Sequence, residues 1–432
     1  MITFYGDWVA DNLSADNIWN HYLFQNINSS DAENQQFTGH PQLDSAIFKY
    51  FKSPIELETF DNYRAGEKNV VAVGLHGGWH KNKLKFIKEW FYAHPGRLKA
   101  WKDPNCQIIL DYCEEGFTTE VFPDLWAWIE DNNLVDRILY VSSSHNVKEL
   151  YNEWCMLHSI GINMQATWYG FFTNWVTRDR KINQSSDLPM ATWEPGTKRY
   201  MSLNRRPWPH RILLTTLLER SKIIDAGAVS MPKNFSEPEV HWNPEDFDIQ
   251  HQWMLLKNRF NGLIDGLDPS FNRLYQRLPL IADTDNFGIN YALNLNEEFY
   301  TKFPINIVSE TLFFSAATFF SEKIWKPMLL GQLFLVMASP FYLQGLRELG
   351  FRTFSPWINE EYDLILDPIE RSLELVKTLK GLIQLSDLEF QQLLENCKPI
   401  LEHNKRILTD PDKINRLISS RVSNAIEQYW SE

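Results

Sequence analysis

Residues 333–337 form an unbroken apolar run, LFLVM, ended by Ser339-Pro340 and preceded by a helical stretch that stops at Gly331. A strand that is apolar on both faces has the pattern of a parallel strand covered by helices on each side. The first part of the chain repeats the arrangement, with short apolar runs at 2–5, 70–75, 107–110 and 137–141 alternating with helical stretches near 80–93, 121–132 and 145–157. Such alternation predicts an α/β fold with parallel sheets. A chain of 432 residues is too long for one core. The expected division is an N-terminal α/β domain at 1–175, a polar linker at 176–197, a C-terminal α/β domain at 198–415 and a final helix at 416–432 packing across both. Long helices are expected at 369–383 and 386–407, and a short strand at 352–354.

The stretch before the 333–337 run carries the first candidate site. Ser321 can cap a helix, Glu322 and Lys323 fall in its first turn, and Ile324, Trp325, Met328 and Leu329 make its apolar face. An acid-base pair at a helix start beside a buried parallel strand is placed where open α/β sheets hold ligands, because helix N–H groups and dipole favour anions there. Lys323 would meet a phosphate and Glu322 would accept hydrogen bonds from ribose hydroxyls. The plainer reading is a solvated first turn.

A second constellation follows the strand expected at 198–204. Asn204 ends that strand, and Arg205 and Arg206 sit at a proline-rich turn into a helix at 212–219, a geometry suited to clamping a diphosphate with planar guanidiniums. His210 and Arg211 fall in the first helical turn, where a cation opposes the dipole by ~0.3–1 kcal/mol; a bound anion would remove that conflict. A basic loop paired to acids is the alternative. Glu310, after the apolar run at 303–308, is a further candidate contact.

In the N-terminal half, Gly74-Leu-His-Gly-Gly-Trp-His80 offers His76 and His80 as general bases or as sugar-hydroxyl or acceptor partners, with a satisfied loop pair as the alternative; it lacks the Gly-x-Gly-x-x-Gly spacing of a nicotinamide site. Asp111, Glu114 and Glu115 follow the third apolar run and are candidates for a general base, with no choice among them from sequence. Ser142 to His145 reads as a polar loop and helix cap; no nucleophile elbow surrounds these serines. Asp283-Thr-Asp285 invites a divalent metal, though Asp-rich turns are common.

The net charge of −13 sets the whole-chain field against nucleic acid and anionic membranes. Four scattered cysteines give neither a zinc spacing nor a disulfide framework. The N-terminus lacks a signal-peptide pattern and no apolar run reaches membrane-spanning length, so a soluble, cytoplasmic protein is expected. Seventeen tryptophans supply core and also aromatic faces of the kind that sugars use.

The run Ser321-Glu-Lys-Ile-Trp-Lys-Pro327, with its small-residue helix end, apolar strand and Ser-Pro, resembles the nucleotide-sugar motif of fucosyltransferase-like GT-B glycosyltransferases. The resemblance implies two Rossmann-like domains facing a cleft. The C-terminal one would bind a nucleotide-diphosphate sugar through Asn204, Arg205, Arg206, His210, Glu310, Ser321, Glu322 and Lys323, and the N-terminal one would supply the acceptor contacts and the base. It implies an inverting, metal-independent hexosyl or fucosyl transfer with no cofactor beyond the donor. Pro-Met-Leu-Leu after the second lysine departs from the family pattern, and the N-terminal half matches no acceptor motif. Alternatives are transfer to hydroxymethylated bases in DNA, a non-catalytic nucleotide or glycan binder, and a metal-dependent transferase centred on Asp283 and Asp285.

Overall fold

The computed structural model describes residues 1–6, 45–75, 82–113, 119–170, 172–173, 188–233, 248–283 and 295–431. The chain divides into two compact units, the first comprising Met1–Trp175, Ser315–Phe320 and Asp412–Glu432, the second Val176–Phe314 and Ser321–Pro411.

Among the described residues, unit 1 holds a six-stranded sheet: β1 (Ile2–Gly6), β2 (Ile55–Thr59), β3 (Asn69–Gly74), β4 (Cys106–Tyr112), β5 (Ile138–Ser142) and β6 (Gln165–Trp168). All pairs are parallel and the order is β2-β1-β3-β4-β5-β6. Helices α1 (Asn82–Tyr92), α2 (Pro95–Lys102), α3 (Val121–Asp131) and α4 (Val147–Leu157) connect the strands. The four apolar runs become β1, β3, β4 and β5, and every residue of β4 and β5 is buried. β2 and β6 escape an apolar-run reading because β2 is half-buried throughout and carries Glu56 and Glu58, while β6 alternates half-buried with buried positions.

Among the described residues, unit 2 has a four-stranded parallel sheet, β7 (Tyr200–Leu203), β8 (Gly227–Ser230), β9 (Ile305–Ser309) and β10 (Leu333–Met337), in the order β10-β9-β7-β8. Its helices are α5 (Pro209–Arg220), α6 (Ile249–Arg259), α7 (Asp268–Arg277), α8 (Glu297–Tyr300), α9 (Glu322–Leu329), α10 (Tyr342–Glu348), α11 (Pro368–Gln384) and α12 (Asp387–Leu408). Both units are therefore α/β with wholly parallel, Rossmann-like sheets.

The last helix, α13 (Pro411–Tyr429), lies almost wholly in the part of the chain that belongs to unit 1. It buries Ile414, Ile418, Val422 and Ile426 along one face. Residues 188–197, inside the polar stretch, are part of unit 2: Ala191 N–H donates to the Leu330 carbonyl at 2.8 Å and Thr192 N–H to that of Thr301 at 3.0 Å.

The strand expected at 352–354 does not form. Arg352 N–H instead donates to Asn404 Oδ1 at 2.8 Å, and Asn404 Nδ2 donates back to the Arg352 carbonyl at 2.8 Å, so a side chain of α12 replaces a neighbouring strand. Among the described residues, no helix is long and apolar enough to cross a membrane.

Candidate functional site

The order of unit 2's sheet fixes where a site can form. β7 is the unit's first strand and pairs on one side with β8, the next in sequence, and on the other with β9, from which the chain moves on to β10. The connections leaving the C-terminal ends of β7 and β9 thus run to opposite sides. That is the switch point at which open parallel sheets hold ligands. Asn204, Arg205 and Arg206 follow β7, and Glu310 follows β9, so both sequence constellations arrive at this one place. Asn204 Oδ1 and Ser339 Oγ, just past the ends of β7 and β10, and Ser309 Oγ, on the last residue of β9, are buried and meet no hydrogen-bond partner among the described residues. Buried polar atoms of this kind nearly always have a hydrogen-bond partner, whether protein, ordered water or a ligand.

α9 begins at this edge. Ser321 has extended backbone and its Oγ accepts the Lys323 N–H at 3.3 Å, which makes it the N-cap. Lys323 Nζ lies 2.9 Å from Glu322 Oε1, 3.1 Å from Ser321 Oγ and 3.4 Å from Thr311 Oγ1. Its side chain is about a third exposed, at 31%, against 14% for Glu322. Burial alone would raise the Glu322 pKa, but Lys323 and Lys326 bring it below the usual carboxylate value.

The Glu310 carboxylate is engaged by the protein's own groups. Glu310 is wholly buried, and its carboxylate accepts from Ser321 N–H at 3.3 Å, from the Ser321 hydroxyl and from Tyr342 OH at 2.6 Å. Burial raises its pKa, against the pull of Lys323, Ser321 and Tyr342. It ties the loop after β9 to the cap of α9.

At the start of α5, Pro209 occupies the first helical position, where its missing N–H costs nothing. The dipole conflict expected at His210 does not arise. His210 is buried, its Nε2–H donates to the Glu310 carbonyl at 2.8 Å, and burial together with Arg211 pushes its pKa down to about 3, so the ring is neutral. Burial also lowers Arg211, to about 10, while Glu322 and Glu310 favour its charge. Its guanidinium lies 3.4 Å from the carbonyls of Arg206 and Ser309. The conflict is thus confined to Arg211, which is held by backbone oxygens and buried carboxylates.

Arg205 and the start of α9 share surroundings. Arg205 lies 3.9 Å from Asp283. Lys326, on α9, feels Glu322, Lys323 and Arg205 together, and buried Tyr300 feels Asp283, Glu322 and Arg205. Among the described residues, Arg205, Arg206, Arg211, Lys323 and Lys326 share this cluster with the carboxylates Asp283, Glu310 and Glu322. Sequence reasoning passed over Lys326, Tyr300, Ser309 and Ser339. For Lys326 the signal was present: it lies four residues after Glu322 and three after Lys323, on one helix face. Asp283 faces Arg205, its Asp-x-Asp partner Asp285 lies outside the described residues, and no metal-type cluster occurs among the described residues.

In unit 1, β4 runs through Tyr112, so Asp111 is the strand's next-to-last residue, at the C-terminal end where the sequence reading places it. It is buried, in register with Gly74 and Val141, and its carbonyl accepts the Leu75 N–H at 2.7 Å. Glu114, Glu115, His76 and His80 lie outside the described residues. His145 is buried with its ring 5.3 Å from that of Trp168 and 5.5 Å from that of Phe320, and its Nε2 is 3.3 Å from Arg421 Nη1. Burial and that guanidinium push its pKa down to about 4. Asn146 caps nothing with its side chain, which instead accepts from Thr318 N–H at 2.9 Å and donates to the Ala316 carbonyl at 2.9 Å.

No family model matches this chain, and no curated protein matches it. Among solved structures, an alpha,alpha-trehalose-phosphate synthase (UDP-forming) from Burkholderia vietnamiensis is 11% identical with a TM-score of 0.39, over 84% of this chain and 72% of that one. The trehalose-6-phosphate synthase OtsA is 13% identical with a TM-score of 0.44, over 84% and 73%. A UDP-GlcNAc 2-epimerase from Neisseria meningitidis, bound to UDP-GlcNAc, is 11% identical with a TM-score of 0.27, over 89% and 95%. Likeness this distant assigns the present chain no chemistry.

Proposed function

We propose that unit 2 binds the diphosphate of a nucleotide sugar and that the protein is a glycosyltransferase. What supports the reading is that Arg205 and Arg206 follow β7 and that α9, with Ser321, Glu322 and Lys323 at its start, begins at the same edge of a parallel sheet, at its switch point, beside buried polar atoms with no partner among the described residues. Cations, a capped helix N-terminus and the carboxyl edge of a sheet each favour a bound diphosphate. Asn204 and Glu322 offer acceptor oxygens for ribose or sugar hydroxyls, while Glu310 and His210 hold the loops.

The reaction proposed is a single displacement with inversion. An acceptor oxygen forms a bond to the anomeric carbon, the bond from that carbon to the diphosphate breaks, and a carboxylate from Asp111, Glu114 and Glu115 takes the acceptor's proton. Arg205, Lys323 and the helix N–H groups stabilise the charge that develops on the departing diphosphate, a stabilisation that needs no metal. The resemblance of the Ser321–Pro327 run supports the donor class.

A thermal-shift screen against UDP, GDP, CMP and their sugars tests the donor site. A ligand at ~100 times its dissociation constant stabilises by about 2.7 kcal/mol. One nucleotide series should shift the wild type and leave Arg205→Ala with Lys323→Ala unmoved; absence of any shift would overturn the reading. Replacing Asp111, Glu114 and Glu115 by Asn, Gln and Gln should keep the shift and abolish sugar transfer.

A further inference from the structure

α10 starts without a capping side chain of its own. The residue before it, Phe341, takes left-handed backbone at φ +63° and its side chain offers the first helical N–H groups no acceptor. A helix start of this kind leaves those groups orphaned unless another segment supplies oxygens. Asp363 supplies them, from the 3₁₀ turn Glu361–Leu364 that precedes α11. Both of its carboxylate oxygens accept the Leu343 N–H at 3.0 Å, one also accepts the Gln344 N–H at 3.3 Å, and its carbonyl accepts the Phe341 N–H at 2.7 Å. Asp363 is itself buried.

Tyr342, the first residue of α10, links this cap to the candidate site. Its hydroxyl donates to Glu310 at 2.6 Å, the same carboxylate accepts the Ser321 N–H and hydroxyl, and Ser321 Oγ stands 3.1 Å from Lys323 Nζ. Hydrogen bonds and one helical turn thus connect the Asp363 carboxylate to the Lys323 ammonium. Resting on the donor-site reading above, we propose that Asp363 is a positioning residue of that site: it fixes the start of α10 so that Tyr342 holds Glu310, and with it the Ser321 cap, in the arrangement that presents Lys323 to a diphosphate.

The contact responds to pH. Burial raises the Asp363 carboxyl to about 6, against the backbone N–H groups and Arg347, which favour its charge. The other ionisable groups that reach it are Tyr342 of α10, Glu360 and Tyr362 at the 3₁₀ turn and Arg371 of α11. Protonation turns one of its oxygens into a donor and removes the charge that strengthens the N–H bonds. The start of α10 is therefore held most firmly above about pH 6, and nucleotide affinity falls as pH drops through that value.

The test is calorimetric titration of the full chain with pyrophosphate, UDP and GDP between pH 5 and 7.5, on wild type, Asp363→Asn, Tyr342→Phe and the double variant. Asp363→Asn keeps the shape of the side chain and is neutral throughout, and the ratio of wild-type to variant affinity cancels the ligand's own ionisation. That ratio should be about fivefold at pH 7.5 and fall to near one at pH 5. In the Tyr342→Phe background, where the link to Glu310 is cut, Asp363→Asn should cost no further affinity. The ratio of wild type to Tyr342→Phe should itself shrink toward acid pH, a readout that stands even if Asp363→Asn does not fold. Equal losses from Asp363→Asn in both backgrounds, or a lowered unfolding midpoint with affinity untouched across the range, overturns the inference while leaving the donor site standing. Failure of folded wild type to bind any of the three ligands overturns the site and the inference together.

Discussion

His210 shows how a residue at the site is controlled by burial. Its ring is neutral in the folded protein down to about pH 3, whereas in the unfolded chain it takes a proton near 6.5. A depressed folded-state pKa gives stability that is complete above the unfolded value and drains as pH falls toward the folded one. His210→Gln keeps a donor for the Glu310 carbonyl and removes the titration. We expect urea denaturation to show the wild-type advantage over this variant shrinking between pH 7 and pH 5; an unchanged gap would contradict the assignment. Glu310 acts through the same contacts. Removing its carboxylate strands the Ser321 N–H, the Ser321 hydroxyl and the Tyr342 hydroxyl in the interior, at ~1–3 kcal/mol for each lost partner. Glu310→Ala should therefore cost at least about 3 kcal/mol of stability, with Glu310→Gln milder, and weaken nucleotide binding through the disordered cap of α9. Sequence alone placed Glu310 near the site and could not place it beneath the surface, because its role depends on Tyr342, from an element 32 residues away.

At the scale of elements, α9 and β10 were the most legible part of the chain. The Ser321 cap, the apolar helix face, Gly331 and the five-residue strand all take the positions their chemistry suggests. Gly331 has φ +61° and follows the last helical residues, and the Gln332 N–H reaches back to the Pro327 carbonyl at 2.9 Å, the bond that closes a Schellman turn. A Cβ there would lie 2.4 Å from Met190 Cε. Gly331→Ala should accordingly cost about 1–2 kcal/mol from the left-handed backbone, read as a lower denaturation midpoint, and more wherever Met190 cannot move aside. The strand at 352–354 was misread, since an apolar-flanked segment looks alike whether a strand or the Asn404 side chain completes its hydrogen bonds. β2 and β6 were missed for the converse reason: edge strands need bury only part of their surface, so their sequences carry no apolar run.

At the scale of the whole molecule, the units are interleaved in sequence, because Ser315–Phe320 and Asp412–Glu432 belong to unit 1 although they flank unit 2 segments. α13 fills unit 1 with Ile414, Ile418, Val422 and Ile426, all buried. At roughly 1.5–3 kcal/mol for each buried aliphatic side chain, their removal forfeits an amount comparable to the total stability of a domain. Truncation after Pro411 should unfold unit 1, seen as proteolysis of residues 1–175, while unit 2 keeps its nucleotide-induced thermal shift. The short loop 315–320 sits between the two halves of the candidate site in sequence, and periodicity alone gave no sign that it belongs to the other unit.

A crystal structure of the protein with UDP or GDP tests the central claim most directly. The account predicts the diphosphate at the C-terminal edge of β7 and β9, its oxygens on the Arg205 guanidinium, Lys323 Nζ and the first N–H groups of α9. Nucleotide bound elsewhere in the molecule, with Arg205 and Lys323 making no phosphate contact, would contradict it.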